Sequence, residues 1–216
     1  MIVLINPNST EAMTASMLET AQAAVPDIRV EGWTSFGGPP AIQGREDGAA
    51  AVPPLLKLVK KASDQGASAI IIACFDDTGL DEARALASCP VIGIGQAGYH
   101  MAAIAGRRFS VVTTLAVSVP ILEENVRAYG LDAQLGRVRA SGVPVLELES
   151  NPTLAMERVL AEIRRAEAED GIDTVVLGCG GMVHLPRLVR ERTGLRPIDG
   201  VRAAALAAAS VARPER

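Results

Sequence analysis

This sequence has few aromatic residues and no excess of positive charge. Its 216 residues include three Phe, two Tyr and one Trp, and the formal net charge is −4. Nucleic-acid binding needs a basic surface for phosphates and often aromatic rings for stacking, so we expect no nucleic-acid partner. Hydrophobic residues still make up 49% of the chain, which is enough for a real core and excludes a disordered protein.

Long apolar runs and a secretory leader are also missing. No run approaches the about 18 apolar residues of a membrane-spanning helix, so we expect no membrane partner. Residues 1–8 have no basic residue ahead of their short apolar run. That pattern is typical of a first β-strand and not of a signal peptide. We therefore expect a cytoplasmic protein.

Cysteine is limited to Cys74, Cys89 and Cys179, with no CxxC spacing and no paired histidines. Three cysteines in a cytoplasmic chain do not form a disulfide framework, so they are packing residues, metal ligands or reactive thiols. No zinc cage is evident, and we expect no metal. The glycines at 37–38 and 93–98 lack the context of a nucleotide-binding motif, so we expect no cofactor. Cys89 is predicted to be a packing residue.

Short apolar runs alternate with longer amphipathic or Ala-rich stretches. The predicted strands cover residues 2–5, 28–32, 69–73, 91–94, 110–113, 134–139, 174–177 and, weakly, 197–198. The predicted helices cover residues 10–24, 48–65, 81–87, 97–105, 119–129, 153–170, 185–193 and 201–212. Strand–helix alternation with continuously apolar strands predicts βαβ units and a mostly parallel α/β sheet.

The chain also repeats itself. The apolar strand that leads to Cys74 matches the one that leads to Cys179, and the segment at Pro90 matches that at Pro197. The opening strand matches the one that ends at Thr113, so three landmarks recur in order, about 105 to 107 residues apart. We predict a duplicated α/β lobe, with a cleft between the two copies. The C-terminal ends of the strands would point into that cleft, where ligands of open α/β sheets bind.

Cys74 and Cys179 occupy equivalent points of this repeat. Each precedes a loop of small or polar residues, at 75–79 and 180–182. A strand end leading into a helix N-terminus lowers the pKa of a thiol, and its backbone N–H groups can receive a developing oxyanion. Two thiols from opposite lobes would approach a ligand from opposite faces. One would remove a proton from carbon and the other would return one, which inverts a stereocentre without a cofactor.

Six short segments form an ordered set along nearly the whole chain. They are residues 5–10 (INPNST), 73–80 (ACFDDTGL), 90–94 (PVIGI), 111–114 (VVTT), 177–182 (LGCGGM) and 197–201 (PIDGV). With them the sequence resembles the Asp/Glu/hydantoin racemase superfamily, most closely its hydantoin racemase branch, which includes allantoin racemases. It departs from many relatives at Asp76 and Thr78, where they have Gly and Pro, and at Gly180, where they have Ala.

The resemblance implies two Rossmann-like lobes in a pseudo-twofold arrangement, with the C-terminal helix packed on the first lobe. Lobe 1 would then hold residues 1–95 and 201–216, and lobe 2 residues 96–200. It implies a cofactor-independent racemase, with Cys74 and Cys179 as the acid/base pair, in a homo-oligomer. It also implies substrate contacts from Asn8, from the loops that follow the cysteines, and from Thr113 and Thr114.

The substrate class that we expect is a 5-monosubstituted hydantoin. Its C5–H lies next to a carbonyl, so removal of the proton gives an enolate that needs hydrogen-bond donors. We expect these donors among the backbone N–H groups of Phe75, Asp76, Gly180 and Gly181. Asn8 and Thr113 would bind imide N–H or carbonyl groups. The alternatives are structural: Asn8 in a turn or helix N-cap, and the two threonines as a strand end.

Other residues and functions remain open. Asp76 and Asp77 contact substrate or cap the next helix, and His184 either tunes Cys179 or is structural. Allantoin is an alternative substrate, since it is a hydantoin with a ureido group at C5. An aspartate or glutamate racemase would need a clamp for carboxylate and ammonium, for which the loops offer little Arg or Lys. An arylmalonate decarboxylase uses a single Cys. Outside the enzymes, a two-lobed small-molecule sensor has no need of matched thiols.

Overall fold

A computed structural model describes residues 1–212, within which eight strands form two parallel four-stranded sheets. The first contains β1 (Ile2–Asn6), β2 (Val30–Thr34), β3 (Ala69–Ile72) and β4 (Val91–Gly93), in the order β2-β1-β3-β4. The second contains β5 (Phe109–Thr113), β6 (Leu135–Ala140), β7 (Thr174–Leu177) and β8 (Arg196–Asp199), in the order β6-β5-β7-β8. The orders are equivalent, which confirms the duplicated α/β fold with two similar lobes.

Helices cover both faces of each sheet. They are α1 (Glu11–Ala24), α2 (Arg45–Asp64), α3 (Leu80–Leu86), α4 (Ile94–Ala105), α5 (Val119–Ala128), α6 (Glu147–Ser150), α7 (Pro152–Glu169), α8 (Leu185–Arg192) and α9 (Gly200–Val211). Helices α2 and α3 cover the outer face of the first sheet, and α7 and α8 that of the second. None of the helices in residues 1–212 is long and apolar enough to cross a membrane.

The continuously apolar strands are explained by burial on both faces. In β1, Ile2 and Leu4 point into the largest core cluster, which joins both sheets through α1, α4, α5 and α9. Val3 and Ile5 point the other way, into the cluster beneath α2 and α3. Because successive strand residues alternate between faces, only an unbroken apolar run can fill both clusters.

The last helix of each half packs against the opposite sheet. Helix α4 follows β4 but contacts β7 and β8, and α9 follows β8 but contacts α1 and β3. This exchange ties the two lobes together. We retain as a proposal the division into residues 1–95 plus 201–216 and residues 96–200, of which 213–216 lie outside the described residues.

Three elements have an end that differs from its predicted position by two residues or more. Strand β2 runs two residues later than predicted, since the Gln22 side chain bonds the backbone at Ile28 and Val30 and holds this stretch as a turn. Helix α2 begins at Arg45, ahead of its amphipathic part. Helix α4 begins at Ile94, three residues early. The short helix α6 was not predicted.

Candidate active site

The two strand-end cysteines line one narrow cavity between the lobes. Cys74 follows β3 and Cys179 follows β7, and each lies two residues beyond the last strand residue. Since β3 and β7 are equivalent strands of the two sheets, the fold brings the matched thiols to one place. Also lining the cavity are Asn8, Met13, Ile42, Ala73, Phe75, Asp76, Thr113, Thr114, Ser118, Val145, Gly178 and Gly180.

Each sulfur accepts a hydrogen bond from the backbone N–H two residues ahead. Asp76 donates to Cys74, and Gly181 donates to Cys179. The two sides differ four residues after each cysteine. There the Thr78 hydroxyl donates to Cys74 Sγ at 3.4 Å, whereas the equivalent residue on the other side is Val183, which has no hydroxyl.

Burial raises the pKa of both thiols. For Cys74 the next cause is the charge of Asp76, and the hydrogen bonds from Thr78 and the Asp76 N–H act in the opposite direction. For Cys179 burial raises the pKa to about 12; the Gly181 N–H opposes this, and the charges of Asp76 and Glu149 add to it. Burial therefore outweighs the lowering of the thiol pKa that the hydrogen bonds at a strand end cause, and both groups are thiols at neutral pH.

Asn8 stabilises the turn that precedes α1, and it also lines the cavity. Its Oδ1 accepts from the Thr10 N–H at 2.9 Å and from Asn6 Nδ2 at 2.8 Å, which folds the chain into α1. Its Nδ2 lies 3.8 Å from the thioether of Met13. A thioether is a weak acceptor, so this amide keeps donor capacity towards the cavity.

The two threonines end β5 beside the second cysteine. The Thr113 hydroxyl donates to the Gly178 carbonyl at 2.8 Å, which ties the ends of β5 and β7 together. Its proton is thus committed, while its lone pairs remain as acceptors. The Thr114 carbonyl accepts from the Gly142 N–H at 2.8 Å, and the residue lines the cavity.

The two adjacent carboxyl groups have different surroundings. Asp77 accepts from the N–H groups of Gly95 at 3.0 Å and Gln96 at 2.7 Å and from the Tyr129 hydroxyl at 2.9 Å. It therefore caps α4, not the helix that directly follows it, and this explains the early start of α4. Gly95 leaves room for this cap, because a Cβ there would lie 2.8 Å from the Asp77 carboxylate.

Asp76 lies in the cavity with one oxygen, Oδ2, that is buried and has no hydrogen-bond partner among residues 1–212. Burial raises the pKa of this carboxyl to about 7. Its backbone carbonyl accepts from Asn125 Nδ2 of α5 at 3.0 Å, so the second lobe holds the Cys74 loop in position.

The glycines and Phe75 contribute mainly through the backbone. The Phe75 ring packs edge to face on Tyr99 with a centroid distance of 5.2 Å, and the side chain is part of the core. Gly180 lines the cavity, where a Cβ would lie 2.5 Å from Met17 Sδ. Gly181 is the one predicted site residue that does not line the cavity; it reaches the site through its N–H.

Several site residues were missed by the sequence reasoning. Ile42 and Val145 enclose the cavity from loops of opposite lobes, and the Gln43 side chain accepts from the Val145 N–H at 3.0 Å. Ser118 also lines the cavity, and Thr78 bonds a thiol. Ile42, Val145 and Ser118 carry no motif. Thr78 was not missed as a position: it departs from the proline of many relatives and was expected at the pocket, but its bond to the thiol was not predicted.

The remaining sequence candidates lie elsewhere. His184 is exposed, and its charge acts on Asp199, the N-cap of α9, instead of Cys179. Cys89 is buried in the cluster beneath α2 and α3, as predicted for a packing residue. Within residues 1–212, no three His, Cys, Asp or Glu side chains are grouped closely enough to hold a metal ion.

Comparison with known proteins places this arrangement among the racemases. The family model described as Asp/Glu/Hydantoin racemase matches residues 2–208. The chain is 46% identical to a hydantoin racemase of Rhizobium meliloti over 94% of this chain and 85% of that one. It is 33% identical to one from Pseudomonas sp. (strain NS671), over 93% and 81% of the two chains. The solved allantoin racemase from Klebsiella pneumoniae superposes with a TM-score of 0.93 at 39% identity, covering 97% and 86%.

The fold and these similarities define an isomerase, and within the isomerases a racemase. The chain belongs to the Asp/Glu/hydantoin racemase family, as the sequence motifs indicated. Membership in an enzyme family sets aside the alternative of a non-catalytic sensor.

Proposed function

We propose that this racemase inverts C5 of 5-monosubstituted hydantoins, with Cys74 and Cys179 as a cofactor-independent acid/base pair. One observation carries the proposal: thiols from equivalent strand ends of the two lobes line one cavity, each bonded by the N–H two residues ahead. The 46% identity to a hydantoin racemase supports the substrate class.

The reaction exchanges protons between carbon and sulfur. The thiolate on one face takes the C5 proton, and the electron pair of that C–H bond moves into an enolate with the neighbouring carbonyl. The thiol on the other face then gives its proton to C5. The configuration is inverted, the two sulfurs have exchanged their protonation states, and the enzyme is ready for the opposite enantiomer.

Forming the first thiolate is the step that the protein must assist. Raising the Cys179 pKa from 9.0 to about 12 corresponds to about 4 kcal/mol against ionisation. The backbone N–H donors on both sulfurs, and the Thr78 hydroxyl on Cys74, reduce this barrier. Cys74 has more hydrogen-bond donors than Cys179, but burial and the charge of Asp76 raise its pKa further than that of Cys179.

The polar groups of the cavity suit a neutral imide ring. Asn8 Nδ2 would donate to a ring carbonyl, and the Thr113 hydroxyl would accept from a ring N–H. Thr114 and the N–H groups of Phe75 and Gly180 would complete the binding. Among the described residues that line the cavity none is Arg, Lys or His, so no partner for an α-carboxylate is present. This favours hydantoins over aspartate or glutamate.

Allantoin racemisation is a second candidate, favoured by the TM-score of 0.93 to an allantoin racemase. Allantoin is itself a hydantoin, so the same thiols and ring contacts would serve it. The two candidates differ only in the C5 substituent. The cytoplasmic location and the homo-oligomeric state expected from the sequence are kept as predictions.

Polarimetry of L-5-isobutylhydantoin with purified protein, EDTA and no added cofactor tests the proposal. We expect the rotation to decay to zero much faster than in the enzyme-free control, and iodoacetamide to stop the decay. Turnover of allantoin alone would select the second candidate. A flat trace with both, followed by turnover of aspartate, would refute the hydantoin assignment.

A further inference from the structure

The carboxyl group of Asp76 has a buried oxygen with nothing to bond. Its Oδ2 is shut off from solvent and has no hydrogen-bond partner in residues 1–212, although Asp77 beside it has three. Leaving a buried polar group unpaired is costly, so such a group in a native structure calls for a partner. Asp76 lines the cavity of the two cysteines, and a bound ligand is the partner available there.

The carboxyl group of Asp76 lines the same cavity as both sulfurs. Its charge raises the pKa of Cys74 and of Cys179, which come from opposite lobes. Helix α4 contributes Tyr99, whose pKa the charge also raises. A ligand held between the thiols would therefore lie within reach of Oδ2.

Among residues 1–212, no cation acts on the charge of Asp76. Arg45 borders an outer depression that Asp76 also lines, but it is paired with Glu124 at 2.6 Å. Arg84 acts on Asp77, and burial is the one resolved influence on the Asp76 carboxyl, raising its pKa to about 7. Glu149 of α6 acts on Cys179, and Tyr129 of α5 bonds Asp77. If Asp76 were ionised, its negative charge would lie in the same cavity as those of a thiolate and an enolate, and none of the described residues that line this cavity is a cation.

Two of the four backbone N–H groups that we expect as donors to the enolate are already committed. The N–H groups of Asp76 and Gly181 already bond the two sulfurs. A neutral carboxyl group at Oδ2 would add a donor to the remaining N–H groups of Phe75 and Gly180, and proteins do keep buried carboxylic acids neutral for this purpose.

We propose that Asp76 is a further catalytic residue, which in its acid form donates a hydrogen bond from the carboxyl to the substrate carbonyl beside C5. This rests on the proposed two-thiol racemisation. The C5 proton still moves to a thiolate and its electron pair into the enolate. The Asp76 proton stays on the carboxyl and stabilises the enolate oxygen until the opposite thiol reprotonates C5.

The test compares Asp76→Asn, which keeps a donor and cannot ionise, with Asp76→Ala, which has none. At about pH 6 we expect kcat/KM of Asp76→Asn to stay within about tenfold of the wild type and that of Asp76→Ala to fall about 100-fold. Above about pH 7, the ratio of wild type to Asp76→Asn should fall about tenfold per pH unit as Asp76 ionises.

Other outcomes overturn the inference. Equal rates for the two variants at about pH 6 would show that no donor is needed, and that the carboxyl acts only through its charge. A ratio that rises with pH would show that the ionised form accepts from a ring N–H. Asp77→Asn is the matched control. It should weaken the cap of α4 and so lower the stability of the protein, but its kcat/KM should still decline above about pH 7. A wild type with no racemase activity would refute the proposed function itself, together with this inference.

Discussion

Thr78 makes the two thiols unequal, and Thr78→Val removes that difference. Valine has nearly the shape of threonine without the hydroxyl, and Val183 already stands at the equivalent position beside Cys179. The lost hydrogen bond to Cys74 Sγ spans 3.4 Å. A hydrogen bond to a charged group contributes about 1.5–3 kcal/mol, which corresponds to a rise of about one to two units in the Cys74 pKa.

The assay is the alkylation rate of each thiol by iodoacetamide, followed by mass spectrometry of the two cysteine peptides. Because the thiolate is the reacting form, Thr78→Val should slow alkylation of Cys74 by about 10- to 100-fold at fixed pH, with Cys179 unchanged. Thr78→Ser should retain the wild-type rate. Val183→Thr should do the reverse and speed up Cys179.

The reasoning fails if Thr78→Val slows both thiols equally, because that would indicate a general change of the cavity. It also fails if Cys74 reacts at the wild-type rate in Thr78→Val. Either result would show that the hydroxyl does not stabilise the Cys74 thiolate.

Three further predictions concern closure and stability. Gln43→Ala removes the bond to the Val145 N–H that joins the two cavity loops, so KM should rise several-fold with little change in kcat; an unchanged KM would refute a role in closure. Arg139→Ala leaves the buried Asp170 carboxylate without its main partner and should lower the free energy of unfolding in urea by about 3–5 kcal/mol, whereas a loss below about 1 kcal/mol would contradict this. Burial raises the pKa of Asp76 from 3.8 to about 7. The contribution of this carboxyl group to the free energy of unfolding is therefore fully present below about pH 4 and is lost as the pH rises through about 7. That loss should be no more than about 4 kcal/mol and absent in Asp76→Asn; equal pH dependence in both proteins would refute the raised pKa.

The sheets and the paired thiols could be predicted because the signals are local. Strands such as β1 and β3 are buried on both faces, and their apolar runs are visible without knowledge of the partners. The repeat then placed Cys74 and Cys179 at equivalent strand ends, and parallel strands of equivalent sheets bring such ends together. No long-range contact had to be known for these steps.

The start of α4 and the walls of the cavity could not be predicted, because they depend on contacts across the sequence. Asp77 caps a helix that begins 17 residues later, and propensity does not reveal this. Val145 reaches the cavity through a loop that is bonded to Gln43, 102 residues away. The net shift of the thiol pKa values could not be predicted for a related reason. The local N–H donors are recognisable in sequence, but the burial that outweighs them is a property of the closed cleft.

The central claim is that each thiol serves one face of the substrate carbon. The most direct measurement is exchange of the C5 proton in deuterated water, followed by NMR, for each enantiomer of a 5-substituted hydantoin with Cys74→Ser and Cys179→Ser. We expect neither variant to racemise, while each exchanges the proton of one enantiomer only, opposite for the two variants. Full racemase activity in both variants would contradict the two-thiol mechanism.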